Sequence, residues 1–196
     1  MKKIVSILFI ILVGFSIKSF AEDNLSIKRI SEGKENAKIT IIAYESLTCG
    51  HCADFHKNVY QNLKKDFIEK GLVKIEFRHF PLDMAAFNAS KISQCNNDGK
   101  SNIMDILFSG QKKWAKGKTP EEATGYLKKF LTDEGIKVDF EKCLINKAIE
   151  DYVLNDRIEG VKKFKVNATP TIIINDKKFD KALNYKNLKK YLEKLI

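Results

Sequence analysis

Two cysteines three residues apart, in Cys49-Gly50-His51-Cys52, constrain this chain more than any other feature. They lie between the apolar run Ile39–Tyr44 and a segment patterned as a helix. A strand that feeds a Cys-x-x-Cys at a helix start is the outline of a dithiol redox site. There the first sulfur meets unpaired backbone N–H groups and the positive end of the helix dipole, and both favour the thiolate, the attacking form. The second sulfur sits one turn along the same helix, within bonding reach of the first. Gly50 keeps the approach open to a protein substrate, and His51 can set a donor or a positive charge beside the Cys49 sulfur. Each unit by which the Cys49 pKa falls stabilises its thiolate by about 1.4 kcal/mol. A stabilised reduced form makes the corresponding disulfide a stronger oxidant.

A lone Cys-x-x-Cys is also half of many zinc sites, but no second one follows to complete the set. Cys49, Cys52 and His56 remain three potential ligands on one helix, so metal handling stays as a competing reading, while the main one needs neither metal nor cofactor. Covalent haem attachment requires His directly after the second Cys, and Ala53 stands there.

Residues 1–21 read as an export signal. Lys2 and Lys3 form a positive start, Ile4–Ile17 an apolar stretch of signal length, and Ser19-Phe20-Ala21 a small-residue cleavage site. The apolar run is short for a membrane span. We expect cleavage after Ala21, which leaves all four cysteines in an oxidising compartment where disulfides persist. Loss of Lys2, Lys3 and Lys18 takes the formal charge from +10 to +7. The remaining lysines are scattered among acids, as in Lys64-Lys65-Asp66 and Glu69-Lys70, so the surplus reads as a solvated surface and not as a nucleic-acid or membrane patch.

Along the rest of the chain, residues 26–38 are expected to hold an edge strand and a turn near Glu32-Gly33, and Ile39–Tyr44 a buried strand. Cys52, Phe55, Val59, Leu63 and Phe67 recur at helical spacing up to the stop at Gly71. His56 falls within that stripe and reads as a packed or helix-edge histidine. Leu72–Phe80 is a second strand, parallel to the first if the crossover is right-handed. Helices are predicted over Met84–Cys95, Ser101–Trp114, from a capping box at Thr119-Pro120-Glu121-Glu122, and over Asp139–Glu159. Thr171–Ile174 reads as a buried strand, turned at Asn175-Asp176 into Lys177–Phe179. A last helix, capped by Asn184, points Tyr185, Leu188, Leu192 and Leu195 inward. Cys95 and Cys143 fall on the first and fourth inserted helices. After export we expect a structural disulfide between them, worth about 4 kcal/mol in the chain-entropy model.

This order of elements resembles the DsbA-like thioredoxin-fold oxidoreductases of the bacterial periplasm. The resemblance rests on Ser46-Leu47-Thr48-Cys49-Gly50-His51-Cys52, on Gly160-Val161 leading to Ala168-Thr169-Pro170-Thr171, and on the helical segment between them. It implies an α/β thioredoxin fold with an inserted helical subdomain. Residues 22–82 and 160–196 would form the thioredoxin-fold domain and residues 83–159 the insertion. Cys49 would be the nucleophile and Cys52 the buried resolving thiol. Pro170 would be the cis-proline packed against the disulfide, and Thr169 would offer backbone groups to an extended substrate. Two departures stand out. The dipeptide is Gly-His where many of these oxidases carry Pro-His. The acid that many relatives bury six positions before the first Cys is Ala43 here. Glu45, on the same side of a period-2 strand, is the candidate replacement as proton acceptor for Cys52.

The leading expectation is thus a periplasmic, monomeric thiol:disulfide oxidoreductase that donates its Cys49–Cys52 disulfide to exported proteins. A DsbB-type membrane partner would reoxidise it. A disulfide isomerase or reductase of the same fold is the rival within the class. A carrier of copper or zinc through Cys49, Cys52 and His56, or a peptide-binding chaperone using the Thr169-Pro170 groove, is the rival outside it.

Overall fold

The computed structural model describes residues 27–196, so the export segment expected over residues 1–21 lies outside the described residues. The sheet has five strands in the order β1-β3-β2-β4-β5, where β1 is Ser31–Glu32, β2 Ile39–Glu45, β3 Val73–His79, β4 Thr171–Ile174 and β5 Lys177–Lys178. The crossover from β2 to β3 makes them parallel, with Ile41 opposite Ile75, while β4 runs antiparallel to β2 and places Ile174 beside the same Ile41. The central strands β2 and β4 are β-branched, as residues buried on both faces of a sheet should be.

Alternation along β2 divides its side chains between two layers. Ile39, Ile41 and Ala43 enter the larger core with Phe55, Leu63, Phe77 and Trp114. Tyr44 faces the other layer with Phe80, Val166 and Ile173. Glu45 continues the first series and is buried too. A carboxylate therefore lies on the core side of the sheet.

Between β2 and β3 runs one helical rod. It consists of α1 (Gly50–Phe55), a π-helical segment His56–Tyr60, α2 (Gln61–Leu63) and a second π-helical segment Lys64–Ile68. The expected stripe of Cys52, Phe55, Val59, Leu63 and Phe67 is buried, but so are His56, Tyr60 and Ile68. Wider π turns, in which each N–H reaches a carbonyl five residues back, account for the broader face. They turn His56 inward.

Helices fill the chain from Met84 to Phe164: α3 (Met84–Gln94), α4 (Asn102–Ser109), α5 (Gln111–Trp114), α6 (Pro120–Asp133), α7 (Phe140–Ile145) and α8 (Lys147–Phe164). Two expected helices are each divided. The one over Ser101–Trp114 breaks at Gly110, where any Cβ would strike the Phe130 ring. The one over Asp139–Glu159 breaks at Asn146, which is extended and accepts a hydrogen bond from the Ile149 N–H, so that it caps α8. Freed from α7, α8 continues beyond Glu159 to Phe164 and crosses the sheet with Gly160 against the Tyr44 ring; a Cβ there would stand 2.7 Å from that ring. Thr119 caps α6 by accepting from the Glu122 N–H, with Pro120 in its first turn. Cys95 and Cys143 are joined by a disulfide that ties α3 to α7. The chain closes with α9 (Tyr185–Leu192), whose Leu188 and Leu192 are buried. Among the described residues no helix is long and apolar enough to cross a membrane.

Candidate active site

Cys49 stands at the N-terminal end of α1, in extended backbone geometry, where a cap residue belongs. Its own N–H donates to the Ser46 carbonyl at 3.0 Å, which closes the turn out of β2. The turn is held to the inserted helices at two points. Thr48 Oγ1 donates to Asp83 Oδ2 at 2.8 Å, and Asp83 also caps α3 by accepting from the Ala86 N–H. From the other side Gln111 Nε2 donates to the carbonyls of Leu47 at 2.8 Å and Cys49 at 3.0 Å.

The Thr169-Pro170 peptide is cis, and the Thr169 carbonyl oxygen lies 3.4 Å from Cys49 Sγ. A cleft of about 480 Å³ opens beside the sulfur, lined by His51, Asp54, Phe55, Thr169 and Pro170 among others. Gly50 is exposed, and nothing stands within 4 Å of where its Cβ would be. His51 is exposed at the rim of the cleft.

The two sulfurs differ sharply in acidity. Cys52 is fully buried. Hydrogen bonding from its thiol, then contacts at Thr169 and the amides of Cys52 and His51, bring Cys49 down to about 5 against the opposing pull of burial. Cys52 moves the other way. Burial, the hydrogen bond it gives Cys49 and the charge of Glu45 push it far above the ordinary thiol range. One half-buried thiolate facing outward and one protonated thiol beneath it is the division that stepwise disulfide exchange requires.

Beneath the pair lies a buried acid–base couple. Glu45 Oε2 is 2.9 Å from His56 Nε2, and His56 Nδ1 is 3.5 Å from Asp105 Oδ1. Phe108 stacks on the imidazole at 4.1 Å between centroids, and Phe77 lies against it at 5.5 Å. Burial raises the Glu45 carboxyl above its usual range, with the charges of Asp105 and Cys49 adding to the effect and His56 opposing it. Burial alone would lower His56. The charge of Glu45, with the hydrogen bonding and charge of Asp105, outweighs it and lifts His56 to about 9. His56 is thus packed, with Nε2 bonded to Glu45 and Nδ1 near Asp105 but without a hydrogen bond. No group of three metal-binding side chains is assembled among the described residues.

Gln111, Asp83 and Asp105 escape a reading of the sequence. Each reaches the site from the inserted helices, tens of residues from the cysteines, and neither spacing nor composition marks it. The Glu45–His56 pair had a weak signal, a carboxylate on the core side of β2 and a histidine in an apolar stripe.

With this geometry in hand, the chain belongs to the thioredoxin family: the family model described as thioredoxin matches residues 26–194. Within that family it is DsbA-like. The crystal structure of Wolbachia pipientis alpha-DsbA1 superposes with a TM-score of 0.75 and 29% identity, over 85% of this chain and 90% of that one. Disulfide bond formation protein D of Bacillus subtilis is 27% identical over 171 residues, covering 83% of this chain and 74% of its own. A Rickettsia bellii protein provisionally named a protein-disulfide oxidoreductase is 26% identical over 150 residues; the match takes in 73% of this chain and 55% of that longer relative.

Proposed function

We propose that this protein is a thiol:disulfide oxidoreductase that donates its Cys49–Cys52 disulfide to exported proteins. It acts as a monomer in the periplasm after removal of the segment ending at Ala21. The carrying observation is the pairing of the half-buried Cys49 sulfur, 3.4 Å from the Thr169 carbonyl, with the fully buried Cys52 one turn away, next to a cleft lined by Thr169 and Pro170.

A substrate thiolate attacks Cys49 Sγ, the Cys49–Cys52 bond breaks, and Cys52 leaves with the electron pair. Because Cys52 holds its proton tightly, it must gain one at that moment, and Glu45 is the nearby acid in our reading. A second substrate thiolate then attacks the substrate sulfur of the mixed disulfide. Cys49 departs as a stable thiolate and needs no proton, while the substrate leaves oxidised. Reoxidation by a DsbB-type disulfide partner reverses the cysteine chemistry, and Glu45 takes the Cys52 proton back. Thr169 supplies backbone groups to the extended substrate, and His51 adds a donor beside Cys49.

The metal-carrier alternative loses support at its third ligand, since His56 is buried and its Nε2 is hydrogen-bonded to Glu45. The decisive experiment equilibrates the Cys49–Cys52 pair with glutathione and follows oxidation of a reduced dithiol peptide. An oxidising potential with rapid peptide oxidation is expected. A potential as reducing as that of a cytosolic thioredoxin, roughly −270 mV, would assign the protein to reductase or isomerase work instead.

A further inference from the structure

Cys52 must gain a proton in one half of the cycle and lose it in the other, yet it is fully buried and Glu45 is 3% exposed. The cleft that admits substrate is lined by neither Glu45, His56 nor Asp105, and a bound polypeptide would cover that side. The proton needs another exit.

We infer that His56 and Asp105 are positioning residues that form the outer half of a proton path, joining Glu45 to solvent through the cavity beside α4. The inference rests on the reading of Glu45 as proton acceptor for Cys52. Glu45 has one oxygen on His56 Nε2, while its other oxygen, Oε1, is buried and without a hydrogen-bond partner. That oxygen is a vacant acceptor. On the outer side, Nδ1 of the same imidazole lies 3.5 Å from Asp105 Oδ1, both atoms buried and with no hydrogen bond closed between them, so the link is an ion-pair contact one small shift short of a hydrogen bond. The Asp105 side chain is 34% exposed. His56 and Asp105 both line a second cavity of about 790 Å³, together with Lys57, Gln61, Gln111 and Lys113; it meets the first at Asp54 and reaches Gly50. An imidazole can accept a proton on one nitrogen and release the other proton from the second, so a histidine between a buried and an exposed carboxylate transmits protons without moving its ring. The π-helical segment that starts at His56 supplies the inward turn that places it there.

In the closing step, the Cys52 thiol gives its proton to Glu45, and its sulfur electron pair forms the bond to Cys49 Sγ. The bond from Cys49 to the oxidant's sulfur breaks, and that sulfur leaves as thiolate. With the proton on Glu45, His56, which the Glu45 charge had held as an imidazolium, releases its Nδ1 proton toward Asp105, and water takes it from there. The titratable groups facing His56 are Glu45 from β2 and Asp105 from α4, with Tyr60 on its own helix; the rings of Phe55, Phe77 and Phe108 pack around it.

The test mixes the reduced full protein with glutathione disulfide and resolves two phases, capture of Cys49 and closure by Cys52. In D105N and H56Q capture keeps its wild-type rate, because the Cys49 thiolate releases no proton. Closure slows by roughly tenfold or more, within the range of a positioned acid–base group, and its pH profile shifts. Added imidazole restores closure in H56G, since the cavity reaches that position. If D105N and H56Q close with the wild-type rate and pH profile while E45Q is slow, Glu45 exchanges its proton elsewhere and the path is wrong. If E45Q also closes normally, the reading of Glu45 itself fails. D105N alters a partly exposed side chain and decides the question even if H56Q does not fold.

Discussion

Gln111 Nε2 donates to the carbonyl of Cys49, the first carbonyl of the active-site helix. The same carbonyl accepts from the N–H groups of Cys52 and Ala53, so an inserted helix grips the backbone of Cys49 itself. Gln111 is buried and also holds the Leu47 carbonyl. Gln111→Leu keeps the volume but leaves the Leu47 carbonyl buried and unpaired. A cost of about 1–3 kcal/mol in urea unfolding is expected. Alkylation of Cys49 should slow as well, since the turn that presents it loosens. An unchanged alkylation rate would confine Gln111 to stability.

The acidity of Cys49 depends first on Cys52. Thiolate absorbance of the reduced protein should titrate with a midpoint of about 5. In Cys52→Ala the strongest contribution is gone, and the midpoint should rise toward that of an ordinary thiol. A wild-type midpoint near that of free cysteine would remove the basis for a strongly oxidising disulfide.

Much of this was legible in the sequence. The alternation of Ile39–Tyr44, the cysteines at a helix start and the Thr-Pro before Thr171–Ile174 each express a short-range rule, so strand, helix and strand follow from neighbours in the chain. What escaped was set by distant partners. Gly110 ends α4 because the Phe130 ring occupies the place of its Cβ, and no local pattern contains Phe130. Asn146 caps α8 from the middle of an otherwise helical stretch, a conflict that propensity alone leaves undecided. His56 matched an apolar stripe, but the charges around it come from β2 and α4, and its two carboxylate partners could be found only in three dimensions.

The Cys95–Cys143 disulfide closes a loop with a sequence separation of 48. In the chain-entropy model such a loop removes about 4 kcal/mol of unfolded-state freedom. Cys95→Ala with Cys143→Ala should lower stability by up to that amount, read by urea unfolding. The redox potential of Cys49–Cys52 should be unchanged, because the bridge joins α3 to α7 while the cleft is built from α1 and the Thr169-Pro170 turn. A large shift in that potential would show that the two cysteine pairs communicate.

His56 gives the fold a pH dependence of definite sign. Its folded pKa of about 9 stands above the ordinary 6.5 because of Glu45 and Asp105, which outweigh burial. Below 6.5 the imidazolium forms in both folded and unfolded chains, and its interactions stabilise the fold in full. Between 6.5 and about 9 the unfolded chain has lost the proton that the folded chain retains, so this contribution shrinks and is gone above the folded value. Glu45, also raised, adds a loss of the same sign once the pH passes the ordinary carboxylate value. The Cys49 thiolate acts oppositely in the reduced protein, so the measurement belongs on the oxidised form, in which neither Cys49 nor Cys52 titrates. Urea unfolding of oxidised protein should show stability falling from 6.5 to about 9. H56Q, which keeps a donor for Glu45 but cannot titrate, should be less stable at the acid end and flatter across the interval. Equal slopes for the two proteins would mean that His56 is neutral throughout, and that Asp105 does not hold it charged.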